Sequence, residues 1–348
     1  MLVNTAAGPV HVDRLGRTLM HEHLLIGLPG WETDTAHPGP GFRDTVAICV
    51  DKVEELKSAG FSSLVDPCPS DLGRDVALMG EVAARTGFNI VFATGLYHEE
   101  LGGATYWRSK LQRDPDGEKR LADTFIRELT EGVGNARLKA GVIKVATSAP
   151  PMTGYEQGVF RAAAAASVAT GAPITTHTDA VLGPEQLALL TGLGVPANRI
   201  VIGHSCGSPD HDYHMRIVDG GAYIGFDRFG YDVFQDDAVR VASLVKLLRR
   251  GAGAQVVISH DCVWCWRGQP FGAEAAEAMQ AGDKSMRFTR VIAPMLKAAD
   301  VTESEIELML RDNPRRYFAG EPLPGPTDGL SPARGSRVAA ARDEAGGR

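Results

Sequence analysis

Four histidines, one aspartate and one lysine of this 348-residue chain stand where chemistry could be done. His21 and His23 lie two residues apart in TLMHEH, which reads as the end of a strand, so their rings point to one face. His177 falls near the end of the apolar stretch PITTHT, His204 closes VIGH, and Asp261 directly follows VVISH. Lys144 sits inside GVIKVAT. Imidazole and carboxylate together suit zinc or a related divalent ion. The lysine is the odd member, because a protonated amine beside divalent cations is repelled. Burial in an apolar strand lowers the pKa of a lysine and favours its neutral form. A neutral amine reacts with CO2 to give a carbamate, an anion whose two oxygens can bridge two metals. Each feature alone has an ordinary reading. A strand histidine is commonly a hydrogen-bonded core residue, and a lysine can snorkel to solvent. Their joint placement carries the metal reading.

Such a cluster needs an architecture that brings distant strand ends to one place. Apolar segments at 17–23, 62–66, 90–95, 141–147, 173–178, 200–204, 223–227 and 255–260 read as strands. Most are near-continuous hydrophobic runs, as in strands buried on both faces. Helical patterns at 46–59, 75–85, 120–131, 155–170, 184–193, 237–250 and 287–299 alternate with them. Val46, Val50, Val53 and Leu56 fall on one helical face. Gly60, Gly87, Gly171 and Gly251 stand where helix C-caps are expected. Eight strands alternating with helical patterns predict an α/β fold of the (β/α)8, TIM-barrel type, with an open doubly wound sheet as the alternative. No glycine-rich dinucleotide fingerprint follows the first strand, which weighs against the open sheet. In a barrel, strands one, four, five, six and eight would deliver the six residues to one mouth. Residues 1–320 would form this single unit. Residues 321–348 are rich in Pro, Gly, Ala and Arg, lack periodicity, and read as a disordered tail.

Composition narrows the function. A hydrophobic fraction of 44% and a charged fraction of 23% are ordinary for a soluble globular protein. The net charge of −7 argues against a general nucleic-acid binder. No apolar run reaches the ~18 residues of a membrane span. MLVNTAAGPVHVDRLG lacks the features of a secretory signal. Five cysteines make no disulfide framework, and a reducing, cytoplasmic setting is expected. Cys262 and Cys265 are read as loop packing rather than as a redox pair or half a zinc site. His11, His37, His98, His211 and His214 read as surface or loop residues, with His98 near the mouth through its neighbour Tyr97.

TLMHEH, GVIKVATS, PITTHT, VIGH and ISHD, in that order, resemble the phosphotriesterase family of the amidohydrolase superfamily. The likeness runs from about residue 9 to about residue 319, where NPRRYFAG looks like the closing helix of that family. It implies two divalent ions per chain, zinc first, with cobalt, manganese or iron as alternatives. His21, His23 and Asp261 would hold a buried ion, and His177 and His204 a more exposed one. Lys144, as N6-carboxylysine, would bridge them. A hydroxide shared by the ions would be the nucleophile, with Asp261 shuttling its proton.

Within the family the sequence is most similar to phosphotriesterase-like lactonases. ATGLYHEELGGATYW places Tyr97 near the metals, and GFDRFGYDVF places Arg228 at the start of a short loop. Both are expected to act on the substrate. Trp264 and Trp266, in CVWCWRGQPFG, would line a pocket for an apolar acyl or alkyl chain, or pack over the rim. Arg267 could instead meet a phosphate or carboxylate. The expected reaction is the opening of γ/δ-lactones or N-acyl-homoserine lactones, with weak phosphotriesterase activity. The alternatives are an aryldialkylphosphatase proper, or a hydrolase of phosphorylated sugar lactones or N-acyl amides. A non-catalytic binder is disfavoured, since no ligand is missing. The partners implied are small molecules and a second copy of the chain in a homodimer.

Overall fold

A computed structural model describes residues 1–269, 271–272 and 284–324. The expected tail lies almost wholly outside the described residues. Eight strands run β1 (Arg17–Leu19), β2 (Phe61–Asp66), β3 (Asn89–Gly95), β4 (Val142–Ala146), β5 (Ile174–His177), β6 (Ile200–Ile202), β7 (Tyr223–Phe226) and β8 (Val256–Ile258). They hydrogen-bond in chain order, every pair parallel. The first and last meet through the Met20 N–H, which donates to the Ile258 carbonyl at 3.1 Å. The sheet is therefore a (β/α)8 TIM barrel.

Strand alternation sorts the apolar residues into two cores. Met20, Val65, Val91, Val142, Val201, Tyr223 and Val257 point inward and pack together. Leu64, Ile143, Ile174, Ile202, Ile224 and Ile258 point outward and pack against the surrounding helices. These β-branched runs are buried on both faces, which suits a parallel sheet covered by helices.

The helices start and stop where local chemistry dictates. Thr153 and Glu156 form a capping box at the start of Gly154–Thr170. Asp75 accepts from the Leu78 N–H at the start of Val76–Thr86. Gly87 and Gly171 end these helices in the left-handed conformation, at φ 67° and 74°. Gly60 and Gly251 also have positive φ just beyond Phe42–Ser58 and Asp237–Arg249.

Some elements depart from expectation. A hairpin of Leu2–Thr5 and Gly8–His11 precedes the barrel, and Val3 joins the inward core. Two unforeseen helices, Thr105–Arg113 and His211–Asp219, follow β3 and β6. His214 is thus a buried helical residue, not a surface one, and its Nε2 pairs with the Ser205 carbonyl at 3.0 Å. The helix Asn313–Ala319 closes the N-terminal end of the barrel. Arg199 fixes it by donating to the Tyr317 and Phe318 carbonyls at 2.7 and 2.9 Å. Among the described residues no helix is long and apolar enough to cross a membrane.

Candidate active site

The C-terminal ends of the strands converge on a cavity of about 340 Å3. His21, His23, Lys144, His177, His204 and Asp261 all line it. His21 and His23 lie just past β1, still tied into the barrel by the Glu22 N–H to Val65 carbonyl bond at 2.9 Å. Lys144 and His177 come from within β4 and β5, while His204 and Asp261 follow β6 and β8. His204 and Asp261 both hold the left-handed backbone at φ 56°. That conformation is costly for residues with a Cβ and clusters at functional sites.

The rings are close together. His21 and His204 have centroids 4.5 Å apart, and His177 and His204 4.6 Å. Asp261 Oδ1 lies 3.5 Å from His21 Nε2 and 3.3 Å from His23 Nε2, and its Oδ2 lies 3.7 Å from His204 Nε2. Carboxylates face the opposite side of three rings. Asp227 meets His21 Nδ1 at 3.3 Å and His204 Nδ1 at 3.0 Å, and Asp66 meets His23 Nδ1 at 3.3 Å. An imidazole held at Nδ1 by a carboxylate presents Nε2 to a metal. Gly225 makes room for Asp227, since a Cβ there would lie 2.5 Å from Asp227 Oδ2.

Lys144 is buried with one hydrogen-bond partner among the described residues, His21 Nε2 at 3.1 Å. Burial lowers its pKa to about 8. Burial and the nearby Lys144 lower His21 to about 4, and burial lowers His177 to about 3. His204 is held well below its ordinary value by burial and by Arg228. Burial opposes charge on His23, but the Asp261 and Asp66 carboxylates outweigh it and raise the pKa. Burial likewise opposes charge on Asp261, but His204, His21 and Arg228 hold its carboxyl well below the usual range. Neutral imidazoles at His21, His177 and His204, an ionised carboxylate beside His23 and a lysine without a carboxylate partner fit a metal centre.

The rest of the wall is mixed. The Tyr97 hydroxyl lies 3.3 Å from His177 Nδ1, and burial keeps the phenol protonated. Arg228 donates from Nε to Asp261 Oδ2 at 2.9 Å, and its guanidinium stacks on Phe234 at 4.7 Å. Ile26, Leu28, Leu72, Leu101, Val263, Trp266 and Phe271 supply an apolar side. Trp266 gets there because Trp266–Arg267 pairs in parallel with Ile26–Gly27, folding the last loop over the first.

The pocket role expected of Trp264 needs correction: it packs against the outward-facing core instead. Arg267 is engaged elsewhere, with Asp75 at 2.8 Å and the Trp31 ring at 4.8 Å. Cys262 and Cys265 face different neighbours, Ser285 Oγ at 3.7 Å and the Cys49 thiol respectively, as packing would have it. His98 is buried and lines the cavity, its ring 4.1 Å from that of Tyr97. Sequence reasoning missed Asp66 and Asp227. Their signal was present, for each ends a predicted strand that supplied no ligand. Asp179, 3.3 Å from His177 Nε2 and 3.8 Å from Arg228, was also missed.

Comparison with known proteins agrees with this geometry. The model of the phosphotriesterase family matches residues 1–318. A phosphotriesterase homology protein of Mycobacterium tuberculosis is 36% identical, over 91% of this chain and 97% of the relative. An aryldialkylphosphatase of Saccharolobus solfataricus is 33% identical, over 88% of this chain and 95% of the relative. The crystal structure of a mutant phosphotriesterase-like lactonase from Deinococcus radiodurans superposes with a TM-score of 0.86. It is 37% identical, covering 91% of this chain and 99% of that one. The chain is therefore a metal-dependent hydrolase that belongs to the phosphotriesterase family.

Proposed function

We propose that the protein opens lactones carrying an apolar substituent. The observation that carries this reading is one cavity joining a ligand cluster, a protonated phenol and an apolar wall. Its volume of about 340 Å3 suits a small, partly apolar molecule. The likeness to a phosphotriesterase-like lactonase supports the same substrate class. Arg267 is held by Asp75 and Arg228 by Asp261, which weighs against a phosphorylated sugar lactone. Phosphotriester hydrolysis is the second reading, favoured by the aryldialkylphosphatase among the relatives.

His21, His23 and Asp261 would hold one divalent ion, and His177 and His204 the other. Lys144 would complete the ligand set as its carbamate, which the neutral amine forms by adding CO2 and releasing a proton. Zinc suits this donor set best, with cobalt, manganese or iron as substitutes. The bound ions would supply an activated water and a Lewis acid. Asp66 and Asp227 fix the rings. Tyr97 donates a hydrogen bond to the oxygen on which charge develops. Asp261 takes a proton from the attacking water and returns it to the leaving alkoxide. Arg228 orients that carboxylate through its 2.9 Å contact. In a lactone the alkoxide and the new acid stay in one molecule. A phosphotriester fits the same arrangement, because its tetrahedral phosphorus resembles the tetrahedral intermediate. The resemblance further supports a homodimer, and five free cysteines support a cytoplasmic setting.

A panel of γ-, δ- and N-acyl-homoserine lactones, assayed on protein of known metal content, tests the proposal. Turnover is expected with apolar-substituted lactones, to be lost on chelation and to return with zinc. Absence of turnover with every lactone, or turnover indifferent to chelation, contradicts it.

A further inference from the structure

Between the two histidines of the first strand end lies Glu22, which points away from the cavity. Its side chain is fully buried. Oε1 accepts from the Ser259 hydroxyl at 2.8 Å, the His260 N–H at 2.8 Å and His260 Nδ1 at 2.7 Å. Oε2 accepts from the Cys262 N–H at 3.3 Å. The N–H groups on both sides of Asp261 thus end on one carboxylate. Ser259 passes the link on, for its hydroxyl accepts from the His21 N–H at 2.8 Å. The Phe288 N–H donates to His260 Nε2 at 3.1 Å, so the ring proton sits on Nδ1 and is given to Glu22.

Asp261 itself needs such a brace. Its backbone is left-handed at φ 56°, which residues with a Cβ adopt only when their surroundings impose it. Its own N–H donates to the His21 carbonyl at 2.9 Å, and its carbonyl accepts from the Tyr231 hydroxyl at 3.0 Å. In that conformation its carboxylate faces His21, His23 and His204.

We infer that Glu22, with His260, is a positioning residue for the reaction, holding Asp261 so that its carboxylate meets the reacting atoms. The inference rests on the proton-transfer role proposed for Asp261. Chemistry explains why a carboxylate is needed. Glu22 offers acceptors on both oxygens to four donors. Glutamine of the same shape keeps one acceptor and turns an NH2 group toward a backbone N–H. The barrel would survive that change, because its cores lie elsewhere.

The test compares metal-loaded wild type with Glu22→Gln, His260→Asn and His260→Leu on a lactone and on paraoxon. Glu22→Gln should lower kcat about tenfold, keep KM within about twofold, and retain metal and a near-normal melting temperature. His260→Asn, whose side-chain NH2 can still donate to Glu22, should keep most of kcat. His260→Leu should fall with Glu22→Gln. Wild-type kcat in Glu22→Gln overturns the inference. So does a loss fully accounted for by unfolded or metal-free protein. If Glu22→Gln fails to fold, the histidine pair decides, and equal kcat in His260→Asn and His260→Leu overturns the inference. Asp261→Asn separates the two ideas. If it keeps full activity, the proton-transfer reading fails; if it is inactive while Glu22→Gln is normal, only the brace fails.

Discussion

The two ends of the barrel are made by the same strands and follow opposite rules. At the N-terminal end the inward residues are apolar, and Val3, Leu15, Tyr317 and Phe318 fill the space between them. At the C-terminal end the inward residues are imidazoles, a lysine and carboxylates around an open cavity. Strand alternation is continuous from one to the other, as Val142 and Lys144 show within β4. The closed end gains its stability from burial. The open end gives some of it up, with left-handed His204 and Asp261 and a buried lysine. Stability and chemistry are separated along the barrel axis, so substitutions at the two ends should have different consequences.

The largest effect is expected from Lys144→Ala. Activity should fall by at least a factor of about 100, with metal lost alongside, since even groups behind metal ligands matter to that degree. Elemental analysis and kcat measured together check this, and a short carboxylic acid should restore part of both. Full metal content in the variant would remove Lys144 from the centre. At the other end, Leu15→Ala should cost about 2–5 kcal/mol of stability by leaving a cavity. Urea unfolding measures that cost, and kcat of the folded fraction should match wild type. A change in kcat as large as the change in stability would show that the two ends are coupled.

How much of this was legible in the sequence follows the same axis. The eight strands and the six converging residues could be read because near-continuous apolar runs and strand-end placement are local signals. Less local features escaped. The helix His211–Asp219 buries Tyr213, His214, Ile217 and Val218, yet its two histidines and two aspartates made the stretch read as loop. The hairpin was hidden by Gly8 and Pro9, which argue against a strand. Asp66 and Asp227 stand at the ends of predicted strands, but the histidines that they and Glu22 meet lie across strands, a pairing that one sequence does not display. Trp264 and Trp266 looked equivalent, and only the pairing of Trp266 with Ile26 assigns one to the cavity and the other to the core. The left-handed φ of Asp261 escaped because aspartate visits that region only occasionally, so its presence does not mark the position.

Smaller effects sharpen the division within the open end. Tyr97→Phe should lower kcat/KM for a lactone about tenfold and for paraoxon less than about threefold, if the phenol serves the developing oxyanion. Equal losses would make it a packing residue. Asp71 supports the same loop by accepting from the Tyr97 N–H at 3.0 Å and the Gly103 N–H at 3.2 Å. Burial raises its carboxyl from 3.8 to about 6. An acid raised on folding stabilises the fold in its protonated form. That contribution is fully present below pH 3.8 and is lost as the pH rises through about 6. Asp71→Asn does not titrate, so the melting temperature of wild type relative to the variant should decline across this interval. A constant difference from pH 4 to pH 7 would contradict the shift.

The central claim is that the open end is built for a lactone carbonyl beside an apolar wall. It is tested most directly by kcat/KM for an apolar-substituted lactone and for paraoxon, measured on one metal-loaded preparation. The lactone should be favoured by at least about a hundredfold, or about 2.7 kcal/mol of differential transition-state stabilisation. Paraoxon turned over equally well or better would contradict the lactonase reading and leave the protein a phosphotriesterase on the same barrel.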